Sequence, residues 1–121
     1  MDKEQTLQAF WSQFGVPAYD QNTVPEDAPY PRITYEVITD NFNVANVLTA
    51  SIWDRSTSWK SVTDIQHQIE SRLGYGGQTL HCSGGMVWIN RGAPFAQRMS
   101  DTDDSIRRIV INTEVEFITE V

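Results

Sequence analysis

The sequence predicts an α+β fold in which two helices pack on one face of a mainly antiparallel sheet of about four to five strands. Two segments carry apolar residues at helical spacing, several others alternate between apolar and polar residues, and no strand–helix–strand rhythm of a parallel sheet runs through the chain. With 121 residues, 40% of them hydrophobic, the chain is expected to form a single domain over residues 1–121 with its own core.

Both helices are predicted from apolar residues that recur every three or four positions and therefore share one face. The first helix is expected over about residues 2–14, and its apolar residues are Leu7, Phe10, Trp11 and Phe14. The second is expected over about residues 58–73, after the N-cap candidates Ser56, Thr57 and Ser58, and its apolar residues are Val62, Ile65, Ile69 and Leu73. A glycine follows each pattern and is expected to end the helix.

A hairpin is predicted between the two helices. Residues 32–40 alternate between apolar and polar side chains, residues 41–43 form an Asn-rich turn, and residues 44–54 resume the strand pattern. Two strand-like segments joined by so short a link usually pair in antiparallel fashion. In this pattern Trp53 lies on the strand face opposite the main apolar residues.

Three further strands are predicted after the second helix. Residues 78–82 and 86–90 form two short ones, bounded by glycine turns. Residues 105–119 have the longest and cleanest alternation in the chain. One face of that strand carries Ile109, Ile111, Val115 and Phe117, and the other carries Arg108, Asn112, Glu114 and Glu116.

Charge and cysteine content exclude some functions. The formal net charge of −7 argues against a broad basic surface for nucleic acid. Cys82 is the only cysteine, so no intramolecular disulfide can form and no oxidising compartment is needed. The N-terminus lacks the apolar segment of a signal peptide, and no apolar run approaches the roughly 20 residues of a membrane span. We therefore expect synthesis in a reducing cytoplasm and no membrane contact.

No catalytic residue, cofactor site or metal site is predicted. His81 and Cys82 are adjacent in a strand and so point to opposite faces, which prevents them from sharing a metal or forming a nucleophile–base couple. The acidic run at residues 101–104 lacks the glycine and glutamate of an EF-hand loop, and the glycine pairs match no phosphate-binding motif. A hydrolase would instead require His67 or His81 to converge with carboxylates in a pocket.

Three segments carry a resemblance to a known family. They are PRITY at 31–35, IWDRSTSW at 52–59 and RRIVINTEVEF at 107–117, and they accompany a short amphipathic N-terminal helix and a proline-rich loop. Together they resemble the tail terminator proteins, also called tail completion or minor capsid proteins, of long-tailed bacteriophages. The resemblance extends over nearly the whole chain as a pattern of elements.

The resemblance implies a structural virion protein of the phage tail, made in the host cytoplasm. Its partners would be copies of itself in a homohexameric ring, the tail-tube protein and the head connector protein. It implies no enzymatic activity and no cofactor. The acidic balance is compatible with a negative lumen through which DNA passes without specific binding. Another head–tail connector or a tail-tube subunit would have the same size and class.

A ring requires one surface of each subunit to meet a different surface of the next. Residues 18–31 and 91–104 contain prolines and turn formers, so both are predicted to be irregular surface loops and natural donors of such contacts. The predicted interface anchors in these loops are Tyr30, Phe95, Arg98 and Met99. A third possibility is a ligand- or peptide-binding module, which would be a monomer with one long unpaired strand at a sheet edge.

Overall fold

The computed structural model describes residues 1–37 and 45–119. These residues form two α-helices, one short 3₁₀ turn and six strands. The elements in chain order are α1 (Lys3–Trp11), the 3₁₀ turn (Ser12–Phe14), β1 (Ala18–Asp20), β2 (Arg32–Tyr35), β3 (Ala45–Arg55), α2 (Lys60–Leu73), β4 (Gln78–Cys82), β5 (Gly85–Met99) and β6 (Ile106–Thr119). The predicted turn at 41–43 and the adjoining strand ends, residues 38–40 and 44, lie outside the described residues.

The strands form one sheet in the order β1-β2-β3-β6-β5-β4. Strands β1 and β2 run parallel, and the other four pairs are antiparallel. The predicted α+β class with two helices is confirmed, and so is the antiparallel pairing of the β2 and β3 segments. The predicted number of four to five strands is wrong, because the described residues contain six. The sheet is mainly antiparallel as predicted, with one parallel pair.

The first correction lies in the segment 18–31, which was predicted to be a loop throughout. Its first three residues form β1, which pairs with β2 in the register Ala18↔Ile33. The Ile33 amide donates to the Pro17 carbonyl and the Gln21 amide to the Tyr35 carbonyl, both at 2.9 Å. A three-residue strand has no alternation long enough to be recognised from sequence, so only its pairing with β2 reveals it.

The second correction lies in the segment 91–104, whose first nine residues belong to strand β5. The register shifts between Arg91↔Thr113 and Ala96↔Ile111, which marks a bulge around Pro94. The side-chain amide of Asn112 donates to the Pro94 carbonyl at 2.8 Å. At Gly92 a Cβ would lie 2.9 Å from the Asn112 carbonyl oxygen, so this close approach requires glycine. Proline and glycine suggested a loop, but they accommodate a bulge within a strand.

The two helices begin differently. Helix α1 starts with a capping box, in which the Asp2 carboxylate accepts from the Gln5 amide at 2.8 Å and the Gln5 side chain accepts from the Asp2 amide at 3.1 Å. Helix α2 begins at Lys60, two residues later than predicted, and has no side-chain cap. The Ser58 hydroxyl accepts from the Lys60 amide at 3.1 Å in a local turn, so the predicted serine and threonine caps do not cap the helix.

Both helices pack on the same face of the sheet, which we call the inner face. The apolar residues of α1 and α2 form one cluster with alternate residues of the strands. The inner-face strand residues in this cluster are Ile33, Tyr35, Leu48, Ala50, Ile52, Val87, Ile89, Ile109, Ile111, Val115 and Phe117. Within the described residues, neither helix is long and apolar enough to cross a membrane.

Candidate functional site

The opposite face of the sheet, which we call the outer face, is the candidate interaction surface. Side chains alternate between the two faces along each strand, so the residues between the inner-face positions of β2, β3, β5 and β6 point outward. Both helices pack against the inner face, so among the described residues no helix covers the outer face. Most of its residues are half-buried or exposed, although Thr34 and Ser51 are buried.

One row of cross-strand neighbours crosses the outer face at one end. The strand registers place Arg32 opposite Trp53, Trp53 opposite Arg108, and Arg108 opposite Met99. Each of these four residues comes from a different strand. Trp53, Arg32 and Arg108 are half-buried, and Met99 is exposed, with 41% of its surface accessible. Trp, Arg and Met are residue types enriched at protein interfaces.

Aromatic rings and hydrogen bonds hold the arginines of this row in place. The Arg108 guanidinium lies 4.5 Å from the centre of the Trp53 ring, and its Nε donates to the Ser51 hydroxyl at 3.1 Å. The Trp53 indole nitrogen in turn donates to the Thr34 hydroxyl at 2.9 Å. The guanidinium of Arg108 is thus held in a fixed orientation at the surface of the sheet.

Tyr30 joins the same end of the outer face from the loop before β2. The Arg32 guanidinium lies 4.2 Å from the Tyr30 ring centre, and the Arg55 guanidinium lies 5.1 Å from it. Arg32 also donates to the Ala28 carbonyl at 2.9 Å and to the Tyr30 hydroxyl at 3.2 Å. We call the set Tyr30, Arg32, Trp53, Arg55, Arg108 and Met99 the arginine end.

Arg55 is neutralised locally by the loop before β6. Its guanidinium lies 3.6 Å from the Asp103 carboxylate. Hydrogen bonds from the Ser105 hydroxyl and amide hold the pKa of Asp103 below its ordinary value, and the charge of Arg55 lowers this pKa further. By contrast, within the described residues, Arg32 and Arg108 have no carboxylate at ion-pair distance.

The other end of the outer face is acidic, and we call Glu36, Glu114 and Glu116 the glutamate end. Glu114 lies opposite Val47 of β3, and Glu116 lies opposite Trp88 of β5. The Glu36 carboxylate accepts from the amide and the hydroxyl of Thr49. Val47 leaves 66% of its surface accessible, so an apolar side chain stands beside the acidic ones. Like Arg32 and Arg108, Glu114 and Glu116 form no ion pair within the described part of the chain.

The structure separates the four predicted interface anchors. Tyr30 and Met99 belong to the arginine end. Arg98 is on the opposite side of the sheet, where its guanidinium lies 4.6 Å from the Trp59 ring centre. Phe95 packs against the core. The sequence did not single out Arg32 or Arg108, and only the strand register could have aligned them with Trp53.

Among the described residues, the arrangement expected of a hydrolase is found at neither histidine. His67 borders a depression shared with Phe14 and Arg72, and His81 borders another shared with Phe10 and Thr79. Neither depression has a carboxylate among the described residues that line it. Across residues 1–37 and 45–119, no group of three or more His, Cys, Asp or Glu side chains could hold a metal ion. His81 is exposed and Cys82 packs against the core, so the two do point apart as predicted.

An unpaired strand edge is also present. Strand β4 pairs with β5 only as far as Gln78↔Ile89. Beyond that point, Arg91 and residues 96–99 of β5 pair on one side with β6, residues 92–95 form the bulge, and no strand among the described residues covers the other side. Such an edge can accept an additional strand from another chain.

Comparison with known proteins shows a similar fold in a solved structure. No family model matches this chain, and no curated protein matches it. One similar solved structure, whose name states no activity, has 15% sequence identity and a TM-score of 0.57. The similarity covers 97% of this chain and 92% of the other. At this identity the similarity shows a shared fold alone.

Proposed function

We propose that this chain is a structural virion protein, a tail terminator subunit that forms a ring at the head-proximal end of the phage tail tube and joins it to the head connector. The observation that carries the proposal is the outer face, a sheet surface across four strands that the chain's own helices leave uncovered. Its Trp, Tyr, Arg and Met side chains, which are half-buried or exposed, suit contact with another protein better than contact with water.

The arginine end also unites the three segments that carry the family resemblance. Arg32 comes from residues 31–35, Trp53 from residues 52–59 and Arg108 from residues 107–117, and the three are consecutive neighbours across the sheet. Segments distant in sequence thus contribute to one surface patch. A shared interaction surface gives a physical reason for these segments to occur together.

The proposed ring is a homohexamer without cofactor or catalytic activity. The chain's acidic balance of 16 acidic to 9 basic residues would let DNA pass through the ring without being held. The proposed location is the virion tail. Another head–tail connector protein or a tail-tube subunit would use a similar uncovered sheet surface. These functions differ in where the protein lies in the tail.

A peptide-binding module is the second candidate, and the open edge of β5 favours it. An extended peptide could add a strand alongside Arg91–Met99 and satisfy its backbone groups. This function predicts a chain that stays monomeric at every concentration and binds a peptide as a monomer.

The proposed function is tested on tail tubes. Tubes polymerised from the tail-tube protein of the same phage are mixed with the purified chain and imaged by electron microscopy. We expect a ring at one end of each tube and an end to tube growth there. Tubes that bind the chain along their sides, or that keep growing with both ends bare, would contradict the terminator function.

A further inference from the structure

The outer face carries unpaired charges of opposite sign at its two ends. Arg32 and Arg108 have no carboxylate at ion-pair distance in the described part of the chain, although acidic residues outnumber basic ones by 16 to 9. Glu114 and Glu116 likewise lack a cation partner there. In so acidic a chain, arginines without a carboxylate call for an explanation.

These charges cannot neutralise each other within one subunit. Arg108 and Glu114 lie on the same strand, six residues apart, so their Cα atoms are separated by roughly 20 Å. Interactions between exposed charges are largely screened beyond about 8 Å at physiological ionic strength. In a ring, one neighbouring copy can bring carboxylates to the arginine end and the other neighbour can bring cations to the glutamate end.

We propose that the outer face binds a second copy of this chain head to tail, with the arginine end of one subunit against the glutamate end of the next. This inference rests on the proposed ring and specifies the surface through which neighbouring subunits would meet. Two different surfaces of each subunit would meet, which is the heterologous contact that can close into a ring. The exposed apolar side chains of Val47 and Met99 would be covered as the charged groups pair.

A second copy fits this face better than a nucleic acid does. The arginine end alone could accept phosphate, but Glu114 and Glu116 on the same face would repel the backbone as it continued along the sheet. A copy of the chain presents both charge types, so the arginine end of one copy can meet the glutamate end of the next, while its own glutamate end meets the arginine end of the preceding copy. Charge complementarity of this kind determines which surfaces meet and speeds their association.

The test is a charge swap read out by sedimentation. Arg108→Glu places a negative charge within the arginine end, and Glu114→Arg places a positive charge within the glutamate end. Each variant alone should have an apparent dissociation constant on the order of tenfold or more above that of the unchanged chain. An equimolar mixture should associate again, with the two variants alternating, and a chain carrying both substitutions should associate with itself.

Matched controls lie on helix α2, in the other layer of the molecule. Lys60 and Asp64 are exposed and form an exposed ion pair at 3.1 Å, so Lys60→Glu and Asp64→Lys change the net charge by the same amounts. Neither control should alter association, because exposed ion pairs contribute little and these side chains lie away from the outer face. Circular dichroism verifies the fold of every variant. If Arg108→Glu fails to fold, the exposed Glu114→Arg and the milder Arg108→Gln decide the test.

Two results would overturn the inference. The first is that Arg108→Glu alone and Glu114→Arg alone each associate as strongly as the unchanged chain. The second is that the equimolar mixture of the two folded variants stays dissociated. If the unchanged chain nevertheless caps tail tubes, the ring remains and only the assigned contact is wrong. If the unchanged chain stays monomeric at millimolar concentration in low salt and leaves tail tubes uncapped, the ring proposal itself fails.

Discussion

The two faces of strand β6 differ in how far the rest of the chain buries them. Its inner-face residues Ile109, Ile111, Val115 and Phe117 are at most 1% exposed, because both helices pack over them. Its outer-face residues Arg108, Val110, Asn112 and Glu116 stay half-exposed, and Glu114 is exposed. The inner face is thus buried within the chain itself, whereas the outer face is left uncovered by the helices.

The outer face nevertheless has an internal order of its own. Arg108 rests on Trp53 and bonds to Ser51, and Trp53 bonds to Thr34. Arginine side chains that are already held in one orientation lose less conformational entropy when they bind. The inner face therefore stabilises the fold, and the outer face presents side chains whose orientation would suit the contact proposed above.

The largest effect is expected from removing an aromatic ring on the inner face. Phe117→Ala leaves a cavity next to Val87 and should lower the free energy of unfolding by about 3–5 kcal/mol. The outer-face counterpart Trp88→Ala, on the neighbouring strand, should cost less than half of that, because its ring is only half-buried. Urea denaturation of both variants measures the difference. Equal losses would show that the outer face contributes to the fold as much as the core does.

A smaller matched pair lies on β6 itself. Val115→Ala removes buried methyl groups and should cost about 2 kcal/mol of unfolding free energy, whereas Val110→Ala, the same change on the outer face, should cost well under 1 kcal/mol. Thermal and urea unfolding at a concentration where the chain is monomeric compare the two. If Val110→Ala proves the more costly, the outer face is already packed within the subunit.

The smallest effect concerns a polar group on the inner face. Burial raises the pKa of Tyr35, and the charges of Asp20 and Glu4 raise it further. A raised pKa favours the neutral phenol in the folded state, so this contribution to stability is present below the ordinary tyrosine pKa of 10.0 and is lost as the pH rises through the raised value. Tyr35→Phe loses the hydrogen bond to Gln8 but should show a weaker fall in stability above pH 10. An unchanged alkaline fall in urea titrations would contradict this assignment.

Much of the fold could be predicted because its signals are local. The apolar stripes of α1 and α2 and the alternation of β6 each fix an element and its buried face from neighbouring residues alone. Strand β1 and the second half of β5 could not be predicted in this way. Three residues are too few to show a period, and Gly92 and Pro94 indicate a loop wherever no partner strand is known.

The candidate site could be predicted only in part for the same reason. Tyr30 and Met99 were among the predicted interface anchors, and the alternation of β3 placed Trp53 on the face opposite the apolar residues. The alignment of Arg32, Trp53 and Arg108 depends on the registers of three strands, to which residues far apart in sequence contribute. The separation of Arg98 from Met99 depended on recognising residues 91–99 as a strand, because only there do adjacent side chains point to opposite faces.

The most direct test of the central claim is the mass of the unchanged chain in low salt, measured by light scattering as its concentration increases. If the outer face binds another copy head to tail, the mass should rise to a closed multiple of the monomer, six by the ring proposal, and fall back when salt screens the charges. A monomeric mass at every concentration and ionic strength would contradict the account.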